Sequence, residues 1–134
     1  MVTKTKNYYE GVGRRKTAVA RVRIIPSKDV NVVVNDKNFA DYFQTEELRN
    51  TVLDAHKASG LGQVFELSVH VEGSGIHAQA EAVRHGFARA ILAYDANLRP
   101  QLKAAQVLKR DARAVERKKP GLKKARKGPT WSKR

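Results

Sequence analysis

The 134-residue chain has no cysteine, one methionine, one tryptophan and four prolines. Without cysteine there is no disulfide, no thiolate zinc finger and no thiol nucleophile. That absence fits any redox compartment. No apolar run approaches the roughly 18 residues needed to cross a bilayer, so no membrane partner is expected. The start, Met1–Val2–Thr3–Lys4–Thr5–Lys6, has no apolar signal core before Asn7–Tyr8–Tyr9, and a soluble protein is expected, either unexported or already rid of any presequence. Acidic residues are scarce too. Thirteen Asp and Glu against 27 Lys and Arg leave a formal net charge of +14. The length suits one domain and excludes a large multidomain enzyme.

The charge is unevenly placed. Residues 1–23 carry seven basic groups and one acidic group. Residues 24–108 carry eight basic and ten acidic groups, and residues 109–134 carry twelve basic and two acidic. A device for general solubility spreads its charge. Two cationic ends around a nearly neutral middle point to contact with a polyanion.

Apolar periodicity divides the middle into elements. Thr17–Ile25 alternates, with Ala18, Ala20, Val22 and Ile24 on one face and Val19, Arg21, Arg23 and Ile25 on the other. Pro26–Asp29 reads as a turn and Val30–Val34 as a second strand, so a hairpin of these two strands is expected. Asn35–Asn38 is another turn, and Tyr8–Val12 a short strand. Thr45 suits a helix N-cap, followed by Glu46 and Glu47, with Leu48, Val52 and Ala55 on one stripe. Ser59–Gly62 ends that element. Val64–Val71 alternates again, with Phe65, Leu67, Val69 and Val71 inward, until Gly73–Ser74–Gly75. Ile76–Tyr94 is the clearest helix, with Ile76, Ala80, Val83, Phe87, Ala90, Ile91 and Tyr94 on one arc and His77, Arg84, His85 and Arg89 opposite. Pro100 opens a further helix to about Leu108. Residues 1–108 are thus expected to form a globular α+β domain. In residues 109–134 only Val115, Leu122 and Trp131 are sizeable apolar groups. This tail is expected to be extended, and to order on a partner. It can reach roughly 85 Å at about 3.3 Å per residue.

Several catalytic or cofactor motifs fail on inspection. Gly11–Val12–Gly13–Arg14–Arg15–Lys16–Thr17 has Arg15 where a phosphate loop needs glycine before its lysine. Gly73–Ser74–Gly75–Ile76–His77–Ala78 satisfies G-x-G-x-x-A, but no second parallel strand with an acidic end follows as a dinucleotide site needs. It reads as a tight strand-to-helix turn whose free amides could accept a phosphate. His56, His70, His77 and His85 have no compact metal spacing. No cofactor, metal or catalytic residue is expected. His77 and His85 read as surface or phosphate-contacting groups.

Cations dominate what is left. Arg14, Arg15 and Lys16, continued by Arg21 and Arg23, read as one cationic strip facing phosphates. Arg84 and Arg89 extend it, or pair with Glu81. The tail adds Lys109, Arg110, Arg113, Arg117, Lys118, Lys119, Lys123, Lys124, Arg126 and Lys127, whose density predicts steep salt dependence. Trp131 can stack on a base or ribose, worth roughly 1–3 kcal/mol, or pack on a protein. Ser132, Lys133 and Arg134 form the tip, where Arg134 can fork onto a phosphate. On residues alone, a free-standing RNA-binding protein and a small basic RNase stay open beside a component of a large ribonucleoprotein.

The stretch Gly13–Val22 (GRRKTAVARV), the tail pieces RDAR, VERKK and GLKKAR, and the ending Ser132–Lys133–Arg134 resemble the ninth protein of the small ribosomal subunit in its bacterial form. Asp41–Tyr42–Phe43, Gln79–Ala80, Arg84–His85–Gly86 and Ala88–Arg89–Ala90 match as well. Ser74 stands where that family has the middle one of three glycines. The resemblance implies a four-stranded mixed sheet with helices on one face and a left-handed β-α-β crossover. It implies a cytoplasmic, ribosomal location and small-subunit ribosomal RNA as partner, with neighbouring proteins of the subunit head. It further implies that Ser132, Lys133 and Arg134 reach the transfer RNA of the peptidyl site.

Overall fold

The computed structural model describes residues 7–132. Strand β1 (Tyr9–Arg15) turns through Lys16–Thr17 into β2 (Ala18–Ser27). β3 (Asn31–Val34) and β4 (Lys37–Asn38) follow, then the short helix α1 (Phe39–Tyr42) and α2 (Glu46–Ser59). β5 (Val64–Glu72) leads into the long helix α3 (Ile76–Tyr94), and α4 (Arg99–Ala104) follows a single 3-10 turn. The sheet has five strands in the order β1-β2-β5-β3-β4, with β3 and β5 parallel and every other pair antiparallel.

The alternation of β2 and β5 orients the sheet. Ala18, Ala20, Val22 and Ile24 and Phe65, Leu67, Val69 and Val71 are all buried beneath the helices. The opposite face is uncovered, so the fold is α+β with its helices on one side. Phe43, Phe87, Ile24 and Ile91 are fully buried. Each such side chain stabilises the fold by about 1.5–3 kcal/mol relative to exposure. α2 starts on Thr45, whose hydroxyl accepts the Leu48 N–H at 3.4 Å, and stops at left-handed Gly60.

The expected hairpin of the second and third strands does not form. β5 lies between β2 and β3, antiparallel to one and parallel to the other. Inserting β5 pairs all nine of its residues with β2 and Glu66–Val69 also with β3, and buries Phe65, Leu67, Val69 and Val71. The turn signal at Pro26–Asp29 is local and cannot register a strand that arrives thirty residues later. Strand count also differs from the expected four. The two-residue β4 forms because Asn35 and Asp36 take φ values of 49° and 64° and fold the chain back in a tight hairpin turn. Asn35 then extends the parallel ladder, its amide donating to Val71 O at 2.7 Å and its Oδ1 accepting Val71 N–H at 2.9 Å.

Two helix details were misjudged by periodicity. Ile76 is 39% exposed rather than inward, because the whole stretch 72–77 stands clear of the layer. α4 ends at Ala104, well before Leu108, since Gln106 turns left-handed (φ 62°) and Val107 N–H bonds back to Leu102 O. That cap tucks Leu102 and Val107 into the core.

α3 lies directly on β1. Gly11 and Gly13 face it, and Gly86 faces them from the helix. A Cβ at Gly13 would overlap the carbonyl of Ala82 and the amide of Gly86, and one at Gly11 would strike Gly86 O and Ala90 N. The glycines that mimic a phosphate loop are therefore the seat of a helix.

Candidate nucleic-acid interface

Strand parity decides where the N-terminal cations point. Arg14, Arg21 and Arg23 lie on the open face of the sheet, while Arg15 belongs to the helix side. The expected continuous strip is thus split in two, because neighbours on a strand face opposite ways. On the open face the carboxylate of Glu10 holds Arg21 at 3.2 Å and Arg23 at 3.3 Å. Arg23 also covers the Tyr8 ring at 4.6 Å. His70 sits beside Arg21 in register. With Glu10, Glu66 and Glu72 on the same face, its charge is nearly balanced.

The helix-side cations gather elsewhere. Where residues 107–113 cross the N-terminal half of α3 and the β1–β2 turn, the chain forms a concavity of about 480 Å³ lined by Arg84, Gln106, Lys109, Arg110, Asp111, Ala112 and Arg113. Arg14 and Lys16 stand at its edge, since Arg14 shares a smaller adjoining cleft with Arg84 and Lys109, and Arg110 Nη2 donates to Lys16 O at 3.4 Å. Both carboxylates nearby are already engaged. Arg15 Nε binds Glu81 Oε2 at 2.5 Å and its Nη1 binds Asp111 Oδ1 at 2.8 Å. Arg113 forks onto Asp111 as well, with Nη2 at 2.7 Å. Hydrogen bonds from Arg113, side chain and backbone, hold the Asp111 carboxyl well below the usual carboxylate range. Arg14, Lys16, Arg84 and Lys109 have no carboxylate partner among the described residues. Arg84 does not pair with Glu81, and neither does Arg89, which donates to Val12 O at 2.8 Å.

Lys16 holds the tip of the β1–β2 turn at φ 52°, a left-handed conformation that costs a non-glycine residue about 1 kcal/mol or more. Glycine would relax the turn, but would also remove a cation from its most exposed point.

His85 is half-buried where Leu108 crosses it. Arg14 N–H donates to its Nδ1 at 3.3 Å, so Nε2 carries the proton and donates to Leu108 O at 3.0 Å. Burial lowers its pKa, and Arg89, Arg110 and Arg84 push it the same way against the Leu108 carbonyl. The remaining histidines are scattered. His56 stacks on Phe87 and bonds Gln63 O, while His70 and His77 are exposed on different elements. Among the described residues no group of three His, Asp or Glu can hold a metal ion. No described helix is long and apolar enough to cross a membrane.

Beyond Arg113 the described chain contains neither helix nor strand. It is not fully extended either. Glu116 binds Lys119 and, at 2.9 Å, Arg126, and Lys123 N–H closes on Lys127 O at 2.8 Å. This small loop leaves Lys118, Lys123, Lys124 and Lys127 projecting, with Arg117 donating only to the Lys118 carbonyl. Trp131 is 81% exposed and Ser132 is exposed. Lys133 and Arg134 lie outside the described residues.

The model of the Ribosomal protein S9/S16 family matches residues 13–134. The chain belongs to this family. Members of the S9/S16 family are structural ribosomal proteins and not enzymes, and this S9/S16 protein is one of them. The match begins at Gly13, the residue on which α3 is seated, and takes in both the concavity and the whole tail. Nothing in the sequence marks Glu10 or Asp111 as the scaffold under that surface, and Glu81 and His85 take Arg15 and Leu108 O rather than the partners expected of them. Parity alone would have separated Arg15 from Arg14. Nothing local marks Asp111 as its partner, 96 residues away.

Proposed function

We propose that this chain is a structural component of the small subunit of a cytoplasmic ribosome, where it binds ribosomal RNA of the subunit head and supports translation. One observation carries this reading. At the root of the tail, Arg84, Lys109 and Arg110 line one concavity, with Arg14 and Lys16 at its edge, while the carboxylates beside it are taken up by Arg15 and Arg113. A concave cluster of unopposed cations suits irregular, folded phosphate backbone. Arg21, Arg23 and Arg89 lend further positive charge, and Arg113, Arg117, Lys118, Lys119, Lys123, Lys124, Arg126 and Lys127 carry the contact outward along RNA. We take residues 1–108 as the body and 109–134 as the tail, a division supported by the last buried apolar residue being Val107. The crossover from β3 through α1 and α2 to β5 is taken as left-handed, as the family resemblance implies. Neighbouring proteins of the head complete its surroundings.

At the tip, Trp131 stacks on a base or packs on a neighbour, while Ser132, Lys133 and Arg134 contact the backbone of the peptidyl-site transfer RNA. Backbone contact is required there because every transfer RNA must be accepted. The test pairs two variants. Simultaneous Arg84→Ala, Lys109→Ala and Arg110→Ala should make the salt dependence of binding to a head-domain RNA transcript shallower by about 0.9 per lost contact. Small subunits carrying a chain that ends at Trp131 should bind peptidyl-site transfer RNA modestly more weakly, with a shallower salt slope. Unchanged slopes in both would refute the reading.

A further inference from the structure

We propose that Arg15 is a positioning residue: it fixes the direction in which the basic tail leaves the body and makes no phosphate contact of its own. Its side chain is only 12% exposed although it lies within a run of three cations. One guanidinium holds four acceptors. They are Glu81 Oε2 at 2.5 Å on α3, Asp111 Oδ1 at 2.8 Å, and the carbonyls of Asp111 and Arg113 at 3.4 and 3.2 Å. Nε faces Glu81 and Nη1 faces residues 111–113, two fixed directions from one rigid plane that a single ammonium on a flexible stem does not reproduce. The neighbouring bonds act in the same sense. His85 fastens Leu108 O, Arg110 reaches back to Lys16 O, and Arg113 is clamped on Asp111. Every one of these bonds falls within Leu108–Arg113. From Ala114 to Ser132, by contrast, no hydrogen bond or ion pair returns to the body among the described residues.

The tail therefore has a fixed root and a free run. A root set before RNA arrives lowers the ordering cost of binding, since six residues need not be aligned by the RNA itself. It also delivers the cations of 117–127 from one starting direction. A phosphate contact by Arg15 would require breaking the pairs to Glu81 and Asp111, leaving Glu81 unpaired beside the RNA and Asp111 held by Arg113 alone.

The chain has no cysteine, so the geometry can be measured directly in the full-length protein. Spin labels on Ala93→Cys, on the exposed side of α3, and Ala114→Cys, just past the root, should give a narrow distance distribution. Arg15→Ala should broaden it at least twofold, and Arg15→Lys should fall between. Asp111→Asn keeps the Arg15–Glu81 pair, and so a folded body, and should broaden it as well. In the second arm, which rests on the RNA-binding reading above, a head-domain RNA transcript is titrated between 50 and 200 mM salt. Arg15→Ala should weaken binding about tenfold, by loss of preorganisation, with the salt slope unchanged. Lys118→Ala should instead make the slope shallower by about 0.9. A distribution in Arg15→Ala as narrow as in the parent chain would overturn the proposal. So would a slope shallower by about 0.9 in that variant. If the parent chain binds the transcript without salt dependence, the RNA reading fails, and the distance arm still decides the role of Arg15.

Discussion

Replacing Gly13 by alanine tests the packing on which the whole surface rests. The added methyl would sit inside van der Waals contact of Ala82 O and Gly86 N, both backbone atoms of α3. A side chain could rotate away, but a helical backbone cannot. Relief therefore requires moving α3 off β1, which would loosen Ala82, Gly86, Ala90 and the Arg89 bond to Val12 O together. Overpacking of a close-packed interior costs typically 1–3 kcal/mol, and with backbone on both sides we expect about 3 kcal/mol. For a body of roughly 100 residues, each 1 kcal/mol lowers the melting temperature by about 4 °C, so Gly13→Ala should melt about 12 °C lower. The control is Gly62→Ala, where no atom lies within 4 Å of the new methyl and φ is outside the left-handed region. That variant should stay within about 0.5 kcal/mol of the parent. Melting followed by circular dichroism measures both. Equal melting of Gly13→Ala and the parent would mean that α3 is not seated on β1 as described, and the placement of Arg84 and His85 over the tail root would fall with it.

Two further outcomes follow from the same region. Lys16→Gly should change stability and RNA binding in opposite directions. It removes the left-handed strain at φ 52° and should raise stability by up to about 1 kcal/mol, yet make the salt slope shallower by about 0.9. A loss of stability would contradict the strained turn. His85 should make the free protein less stable in mild acid. Its pKa is lowered in the folded state, mainly by burial, so between that value and 6.5 the unfolded chain binds the extra proton and stability rises with pH. Its contribution is complete above about pH 6.5 and declines as pH falls through the folded pKa. His85→Gln should flatten this part of the melting profile between pH 7.5 and 5.

Much of the molecule was legible because it rests on local periodicity. α2 and α3 run over the residues that the 3.6-residue pattern and the Thr45 cap mark out, and the inward sets of β2 and β5 are those of strict alternation. Both follow from how side chains leave a helix or a strand. The cationic tail was legible from composition alone, since 26 residues with three sizeable apolar groups cannot build a core. The partner of each cation was not. Glu10 takes Arg21 and Arg23, and Asp111 takes Arg15 across 96 residues of chain.

The sequence by itself therefore determined the kind of element at most positions, the concentration of positive charge at both ends, and the absence of thiol chemistry. Only the tertiary structure decided that β5 enters between β2 and β3, that Gly11 and Gly13 seat a helix, and that Arg15 and His85 turn inward to hold the tail root. The physical reason is range. Periodicity and charge density are properties of neighbouring residues, whereas strand order, close backbone approach and ion pairing depend on which distant segments the burial of apolar surface brings together.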